Sequence, residues 1–129
     1  AAFAQAGLTP QDISVAEVHD ATAYGEISHL EITGLCEPGE AGPMAENGAT
    51  SLGGRIPVNV SGGLESKGHP VAATGLGQIF ELAQHLRGEA GRRNVADARY
   101  ALASCGGGFF NVEEGLSVVT ILGRADARS

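Results

Sequence analysis

Three short apolar segments, each followed at once by polar or glycine-rich residues, constrain the fold of this chain more than any other feature. The apolar segments are residues 13–18, 55–60 and 98–104, and the segments that follow them are His19-Asp20, residues 59–69 and residues 104–108. Apolar runs of this length, rich in β-branched residues, are typical of buried strands. Because the carboxyl ends of parallel strands share one edge of a sheet, we expect the three polar segments to converge there.

Two helices are predicted between these strands. The first runs from about Ala21 to Thr33, and the second opens at residues 68–70 and ends at Gly88. In the second helix, apolar residues recur at spacings of 4, 3, 4 and 3, which predicts one buried stripe formed by Ala72, Leu76, Ile79, Ala83 and Leu86. Residues 36–54 show little periodicity and are predicted to form a long surface loop.

A last strand is predicted at residues 116–122. It follows the strand 98–104 too closely for a helical crossover, so we expect the two strands to be antiparallel neighbours. The order of elements therefore predicts an α/β fold, with a mixed sheet and helices packed on its faces.

Composition narrows the functional classes. The net charge of −7 disfavours binding to phosphate backbones, so no nucleic-acid partner is expected. No apolar run approaches the roughly 18 residues that span a membrane, and no secretory leader is evident, so we expect a cytoplasmic protein without a membrane partner. We expect both cysteines, Cys36 and Cys105, to be reduced. Their spacing from the histidines does not suit zinc, so no metal site is predicted.

Two of the four histidines are candidates for chemistry. His69 precedes Pro70 at a predicted helix N-terminus, where the helix dipole favours a neutral ring that can polarise a carbonyl or take a proton from a thiol. The alternative role for His69 is a helix cap, and for His19 it is a packed residue at a strand end. His29 and His85 lie within predicted helices and are expected at the surface.

The triple glycine after the third predicted strand allows two interpretations. Backbone N–H groups of residues 106–108 could face a ligand oxygen, as in an oxyanion hole, or the glycines could form a tight turn into the last strand. The residues do not match a dinucleotide-binding fingerprint, because no G-x-G-x-x-G precedes a helix.

Three blocks of the sequence resemble the signatures of the thiolase superfamily, in the family's order. Residues 59–75, NVSGGLESKGHPVAATG, resemble the pattern N-x-S-G-G, G-H-P and T-G. Residues 17–22, EVHDAT, look like the block that reads N-E-A-F in many thiolases, and their His-Asp form is similar to the sterol-carrier-protein-type branch. Residues 104–108, SCGGG, resemble the block of C-x-G with following glycines. The resemblance covers residues 1–123, a predicted thiolase C-terminal domain, and leaves 124–129 as a polar tail.

The resemblance implies a layered fold of two similar halves, of which this chain is most of the second. The family's nucleophilic cysteine lies in the first half, so the chain alone is expected to be inactive, and its opening strand is expected to be missing. The implied partners are an acyl-CoA substrate and an N-terminal thiolase half, in a parent protein that is a homo-oligomer. A coenzyme A thioester would be the substrate, and no cofactor is predicted.

The family's roles can be carried to single positions by this resemblance. His69 would activate the nucleophile and hold the thioester oxygen, and His19 would replace the asparagine that orients a water beside that oxygen. Gly106 would supply a backbone N–H to an oxyanion hole. The substrate-binding positions would be Asn59, Gly68 and Gly107.

The acid/base residue stays ambiguous at this level. Aligning the glycines puts Ser104 in the place of the family's cysteine, whereas a one-residue slip puts Cys105 there, and only one of the two can face the site because side chains alternate along a strand. The alternative cysteine of the sterol-carrier-type branch is Ala21 here. Three functions follow as hypotheses: acyl transfer on a 3-ketoacyl-CoA, aldol cleavage of a steroid side-chain CoA ester, or a non-catalytic assembly domain.

Overall fold

The computed structural model of the chain describes residues 1–111 and 113–127. The predicted polar tail lies outside the described residues at positions 128 and 129. The helices are α1 (Ala2–Ala6), α2 (Ala23–Ile32), α3 (Ala41–Glu46), α4 (Gly63–Lys67) and α5 (Thr74–Arg87), and the strands are β1 (Val15–Val18), β2 (Tyr100–Phe110) and β3 (Glu113–Gly123). Two short 3₁₀ turns occupy Pro10–Asp12 and Gly91–Arg93.

The strands form one mixed sheet in the order β1-β2-β3. β1 is parallel to β2, in a register from Val15 opposite Ala101 to Val18 opposite Ser104, and β3 is antiparallel to β2. The predicted α/β fold with an antiparallel last pair is therefore confirmed. The register of β2 is fixed from both sides, because a shift of one residue would break both pairings.

Residues 55–60 do not form the predicted strand. They contribute a single parallel bridge between Val58 and Ala16. Pro57 has no N–H to donate to a ladder, and Asn59 has a left-handed backbone with φ of 50°, which turns the chain away. The bonds that remain run from Ala16 N to the Pro57 carbonyl, at 3.0 Å, and from Asn59 N to the Ala16 carbonyl, at 2.9 Å.

Helices cover both faces of the sheet, and the two faces have separate cores. On the α2 face, Val18, Leu30 and Leu102 are buried together with residues of the segment after α2. On the α5 face, the buried residues are Val15, Leu82, Leu86, Ala98, Ala101 and Ala103. Residues of β2 alternate between these cores, as side chains of a strand do.

The predicted surface loop at residues 36–54 is partly wrong. It contains helix α3, whose Ala41 and Met44 are buried, and Cys36 beside it is also buried. Arg55 braces the segment, because its guanidinium donates to the Leu35 carbonyl at 3.2 Å and lies 3.0 Å from the Met44 sulfur. A six-residue helix containing glycine and proline leaves little helical periodicity in a sequence.

The predicted apolar stripe of α5 is wrong for its first half. Leu76 is 72% exposed, and Ala72 precedes the helix and is exposed. The buried face is instead largely polar and comprises Thr74, Gln78, Glu81, Leu82, His85 and Leu86. Its polar members have partners: Gln78 donates to the Ser104 carbonyl at 3.3 Å, Glu81 binds Arg93, and His85 accepts from Val95 N at 3.2 Å.

Candidate active site

The three polar segments do meet at the carboxyl end of the sheet. The rings of His19 and His69 are in edge contact, with centroids 4.9 Å apart. The Cys105 sulfur lies 3.8 Å from Nδ1 of His19. A thiol and two imidazoles from three distant parts of the sequence therefore share one small volume, where a proton can pass between them and a bound carbonyl.

His19 occupies a tightly packed position just after β1. It is buried, and the first turn of α2 approaches its backbone so closely that a Cβ on Gly25 would lie 2.9 Å from the His19 carbonyl oxygen. Thr22 caps that turn by accepting from Gly25 N at 3.1 Å. Glycine at position 25 thus allows α2 to start beside the histidine, which fixes the ring against the site.

His69 lies in the connection between α4 and α5 and is exposed. Its Nδ1 is 2.7 Å from the Thr74 hydroxyl, which itself donates to the Pro70 carbonyl at 3.1 Å. With the hydroxyl proton used in that way, His69 Nδ1 is the donor, and Nε2 of a neutral ring carries the lone pair. The ring can then accept a proton at Nε2.

Carboxylates from β1 and from the connection between β1 and α2 hold the loop that leads to His69. Asp20 accepts from Leu64 N at 2.7 Å. Glu17, which is 1% exposed, accepts from the Ser61 hydroxyl at 2.6 Å and from Lys67 Nζ at 3.3 Å. Hydrogen bonds to charged groups are stronger than neutral ones, so this loop is firmly attached to the first strand.

Asn59 links the same loop to both β1 and α2. Its Oδ1 accepts from Val18 N at 2.8 Å, and its Nδ2 donates to Glu26 at 2.8 Å. Burial raises the pKa of Glu26, an effect that the bond from Asn59 opposes and the charge of Asp20 adds to. The amide of Asn59 therefore binds protein groups, and its assignment to substrate binding stays a prediction.

The two candidate acid/base residues point to opposite faces of β2. Cys105 faces α5, where a Cβ on Gly75 would come within 3.4 Å of its sulfur, and it contacts His19. Ser104 faces α2, is buried, and its hydroxyl lies 2.8 Å from Nδ1 of His29. Of the pair, Cys105 is the residue beside both His19 and the helix that follows His69.

The glycines after Cys105 extend the site along β2. β1 ends at Val18, opposite Ser104, whereas β2 continues to Phe110, so within the described part of the chain no strand flanks Gly106 or Gly107 on the β1 side. Gly106 is half-buried and Gly107 is exposed, while Gly68 caps α4 with φ of 103°. These positions suit backbone donors to a ligand, and their roles stay predictions.

Sequence reasoning missed two residues that support the site, and misplaced a third. Thr74, which lies in the T-G of the signature, orients His69. Glu17, the first residue of the block at residues 17–22, anchors the loop that leads to His69. The prediction that His29 and His85 lie at the surface is wrong, because both are buried, and the ring centroid of His29 is 6.3 Å from that of His19. Glu26 and His29 are three residues apart on α2, the spacing of one helix face turned towards the sheet.

Neither a metal-binding cluster nor a membrane-spanning helix is present in the part of the chain that the structure describes. Residues 1–111 and 113–127 contain no group of three or more His, Cys, Asp or Glu side chains arranged to hold a metal ion. In the same ranges, no helix has the length and apolar character required to cross a membrane.

Comparisons with known proteins agree on one family. The family model described as Thiolase C-terminal domain-like matches residues 1–124. Sterol carrier protein 2 of Bos taurus is 49% identical over 100 residues, which are 78% of this chain and 18% of that protein. An acetyl-CoA acetyltransferase of Methanothermobacter thermautotrophicus is 47% identical over 107 residues, 83% of this chain and 28% of that protein.

A solved structure extends the similarity to nearly the whole fold. A chain of the "Ltp2-ChsH2(DUF35) aldolase" superimposes with a TM-score of 0.81 at 29% identity, covering 99% of this chain and 30% of that one. The chain thus spans less than a third of the length of each of these proteins.

Proposed function

Because this chain belongs to the thiolase C-terminal domain-like family, we propose that it is the C-terminal portion of a thiolase-like acyl-CoA acyltransferase. The proposed reaction is thiolysis of a 3-ketoacyl-CoA or the reverse Claisen condensation. The chain would act with an N-terminal thiolase half, and the complete protein would be a homo-oligomer. The relationship to sterol carrier protein 2 and to the acetyl-CoA acetyltransferase supports this proposal.

The cluster of Cys105, His19 and His69 is the observation that carries the proposal. Acyl transfer by this route needs a group that gives and takes a proton beside a polarised thioester oxygen. A thiol with an ordinary pKa near 8.5 can do so near neutral pH, and a serine hydroxyl cannot. Cys105 is the thiol beside His19, at 3.8 Å, and this contact supports our assignment of the acid/base role to Cys105 and not to Ser104.

The proposed steps give each side chain a definite proton. A nucleophile in the N-terminal half attacks the keto carbon, and the bond between C2 and C3 breaks. The shortened acyl group stays on the nucleophile as the acyl-enzyme, and the enolate of acetyl-CoA is released. The Cys105 thiol protonates the enolate carbon, and the resulting thiolate takes the proton of the incoming CoA thiol, which then attacks the acyl-enzyme. The imidazoles of His19 and His69, with the N–H of Gly106, stabilise the oxyanions.

A hybrid enzyme tests this proposal. The matching segment of the Methanothermobacter acetyltransferase, 47% identical to this chain, would be replaced by this chain. CoA-dependent cleavage of acetoacetyl-CoA should persist in the hybrid, and Cys105→Ala should reduce kcat by about 100-fold or more, the range that general acid/base groups contribute. Ser104→Ala is the matched control on the opposite face of β2 and should retain most of the activity.

Intact-mass measurement on the 129-residue chain completes the test. Incubation of the chain alone with acetyl-CoA should leave its mass unchanged, because the proposed nucleophile lies in the other half. Acetylation of the isolated chain at Cys105 would overturn the acid/base role. A folded hybrid that catalyses neither thiolysis nor condensation would favour a non-catalytic assembly domain.

Aldol cleavage is the second candidate function, because a structure described as an aldolase shares the fold at 29% identity. Here a 3-hydroxyacyl-CoA, for example a steroid side-chain ester, would split without free CoA. The need for CoA therefore separates the two reactions. Product formation from a 3-hydroxyacyl-CoA in the absence of CoA, unaffected by Cys105→Ala, would favour aldol cleavage over acyl transfer.

A further inference from the structure

Two apolar side chains of β3 lie on the same face of the sheet as the thiol of Cys105. In the antiparallel register, Cys105 is directly opposite Val118, and Gly107 is directly opposite Leu116. Directly opposed residues of an antiparallel pair share a face, with Cβ atoms about 5 Å apart. Since Cys105 faces α5, Val118 and Leu116 are on that same face, next to the thiol and one step beyond it.

This face is uncovered among the described residues. Val118 is 55% exposed and Leu116 is 65% exposed, whereas Leu122, further along the same face, packs against the core beneath α5. No atom lies within 4 Å of the position that a Cβ on Gly107 would take. Gly107, Leu116 and Val118, here named the hairpin shelf, thus form an open apolar surface that starts at the sulfur of Cys105.

We propose that the hairpin shelf binds the apolar acyl group of the CoA thioester, an inference that rests on the proposed acyl transfer. In that reaction Cys105 protonates C2, the carbon between the thioester and keto carbonyls, so the acyl chain, which continues from C3, must start close to its sulfur. Val118 is the residue opposite that sulfur, and Leu116 follows about 7 Å along the strand. The shelf therefore extends in the direction in which an acyl chain can lengthen.

The chemistry of the shelf selects its ligand. The side chains of Leu116 and Val118 are uncharged hydrocarbons without hydrogen-bonding groups, and Gly107 has no side chain that would project from the surface. Such a surface gains free energy from each methylene that it removes from water. The shelf should bind longer acyl chains more tightly, whereas it offers the charged coenzyme neither a hydrogen bond nor a charge.

Alkylation of Cys105 in the 129-residue chain tests the shelf without catalysis. The rates of N-ethyl-, N-butyl- and N-octylmaleimide would be measured by mass spectrometry of the Cys105 peptide and divided by the rates with glutathione. The normalised rate should rise about tenfold from ethyl to octyl, the gain expected when roughly two methylenes leave water. Val118→Thr and Leu116→Asn, which keep similar shapes, should abolish most of this rise.

Leu52→Asn is the matched control, because Leu52 is a 48% exposed leucine outside the hairpin, and it should leave the chain-length effect unchanged. A normalised rate that does not depend on chain length would overturn the proposal. So would an effect that survives both shelf substitutions, or one that fades as protein concentration rises because a second copy covers the shelf.

The two proposals can fail separately. If the hybrid is inactive but Cys105 of the chain still reacts faster with long maleimides, acyl transfer is contradicted and the apolar ligand surface is supported. An active hybrid without chain-length selectivity would remove the shelf alone.

Discussion

The ion pair between Lys67 and Glu17 offers a direct test of how the loop before His69 is held. Glu17 is 1% exposed, and the Lys67 ammonium lies 3.3 Å from its Oε2. Lys67→Met keeps much of the side chain's apolar stem but removes the charge. The carboxylate of Glu17 would then be buried without a cation, which the fold can tolerate only at a cost in stability.

The expected loss follows from the contacts that remain. Removing one partner of a fully buried pair costs about 3–5 kcal/mol. Here the Lys67 side chain is 30% exposed, and Glu17 keeps its two bonds from Ser61, at 3.2 Å from N and 2.6 Å from the hydroxyl. We therefore expect about 2 kcal/mol, which for this chain length corresponds to a fall in Tm of about 7 °C.

Thermal and urea unfolding of four proteins would measure this effect: the wild type, Lys67→Met, Lys67→Arg and the double variant Glu17→Gln/Lys67→Met. Arginine keeps the charge and should lose less than half as much stability as methionine. The double variant no longer carries the buried charge of Glu17 and should recover part of the loss. If Lys67→Met changes the free energy of unfolding by less than about 0.5 kcal/mol, the range of neutral surface substitutions, the pair does not anchor the loop.

Two further predictions concern buried contacts away from the thiol. Burial lowers the pKa of His85 below the ordinary 6.5, although the carboxylate of Glu81 opposes the shift. As pH falls, the unfolded chain binds the proton before the folded chain does, so the free energy of unfolding should fall as pH drops through about 6.5. His85→Gln should flatten the plot of this free energy, measured by urea unfolding, between about pH 7 and 5. Parallel plots for the wild type and the variant would contradict this. Gly63→Ala should destabilise by more than the about 1–2 kcal/mol of a left-handed alanine, because its Cβ would overlap the Asp20 carboxylate. Gly53→Ala, with φ of 86° and open space, isolates the backbone contribution, and equal losses in both variants would exclude the overlap.

The convergence of the site could be predicted because it depends on topology. A strand that ends in His19-Asp20 and a parallel strand that leads to Cys105 must present those residues at the same edge. The register then brings Val18 opposite Ser104, and His19 and Cys105 follow at once. Local patterns were sufficient here, since hydrophobic runs define the strands and glycines mark their ends.

The polar buried face of α5 could not be predicted in this way, because its partners are distant in sequence. Gln78 binds the backbone of Ser104, 26 residues away, and Ser104 in turn binds His29, 75 residues away. Apolar periodicity identifies a buried stripe only when burial and apolar character coincide. Where polar side chains form hydrogen bonds across the core, as in α5, the buried face differs from the apolar stripe, and Leu76 is exposed.

In the proposed mechanism the thiol lies one residue after the cysteine position of the family pattern, and the fold around Cys105 shows how it is packed there. Aligned on the glycines, the family's cysteine position is Ser104, which faces α2 and is bonded to His29 at 2.8 Å. Moving the thiol to Cys105 turns it to the α5 face, where it needs room beside the helix. Gly75 of α5 packs beside the sulfur there, and a Cβ at position 75 would lie in van der Waals contact with it, at 3.4 Å. In the proposed mechanism, the proton-transferring group would therefore approach its substrate from the side of α5 and β3 rather than from α2.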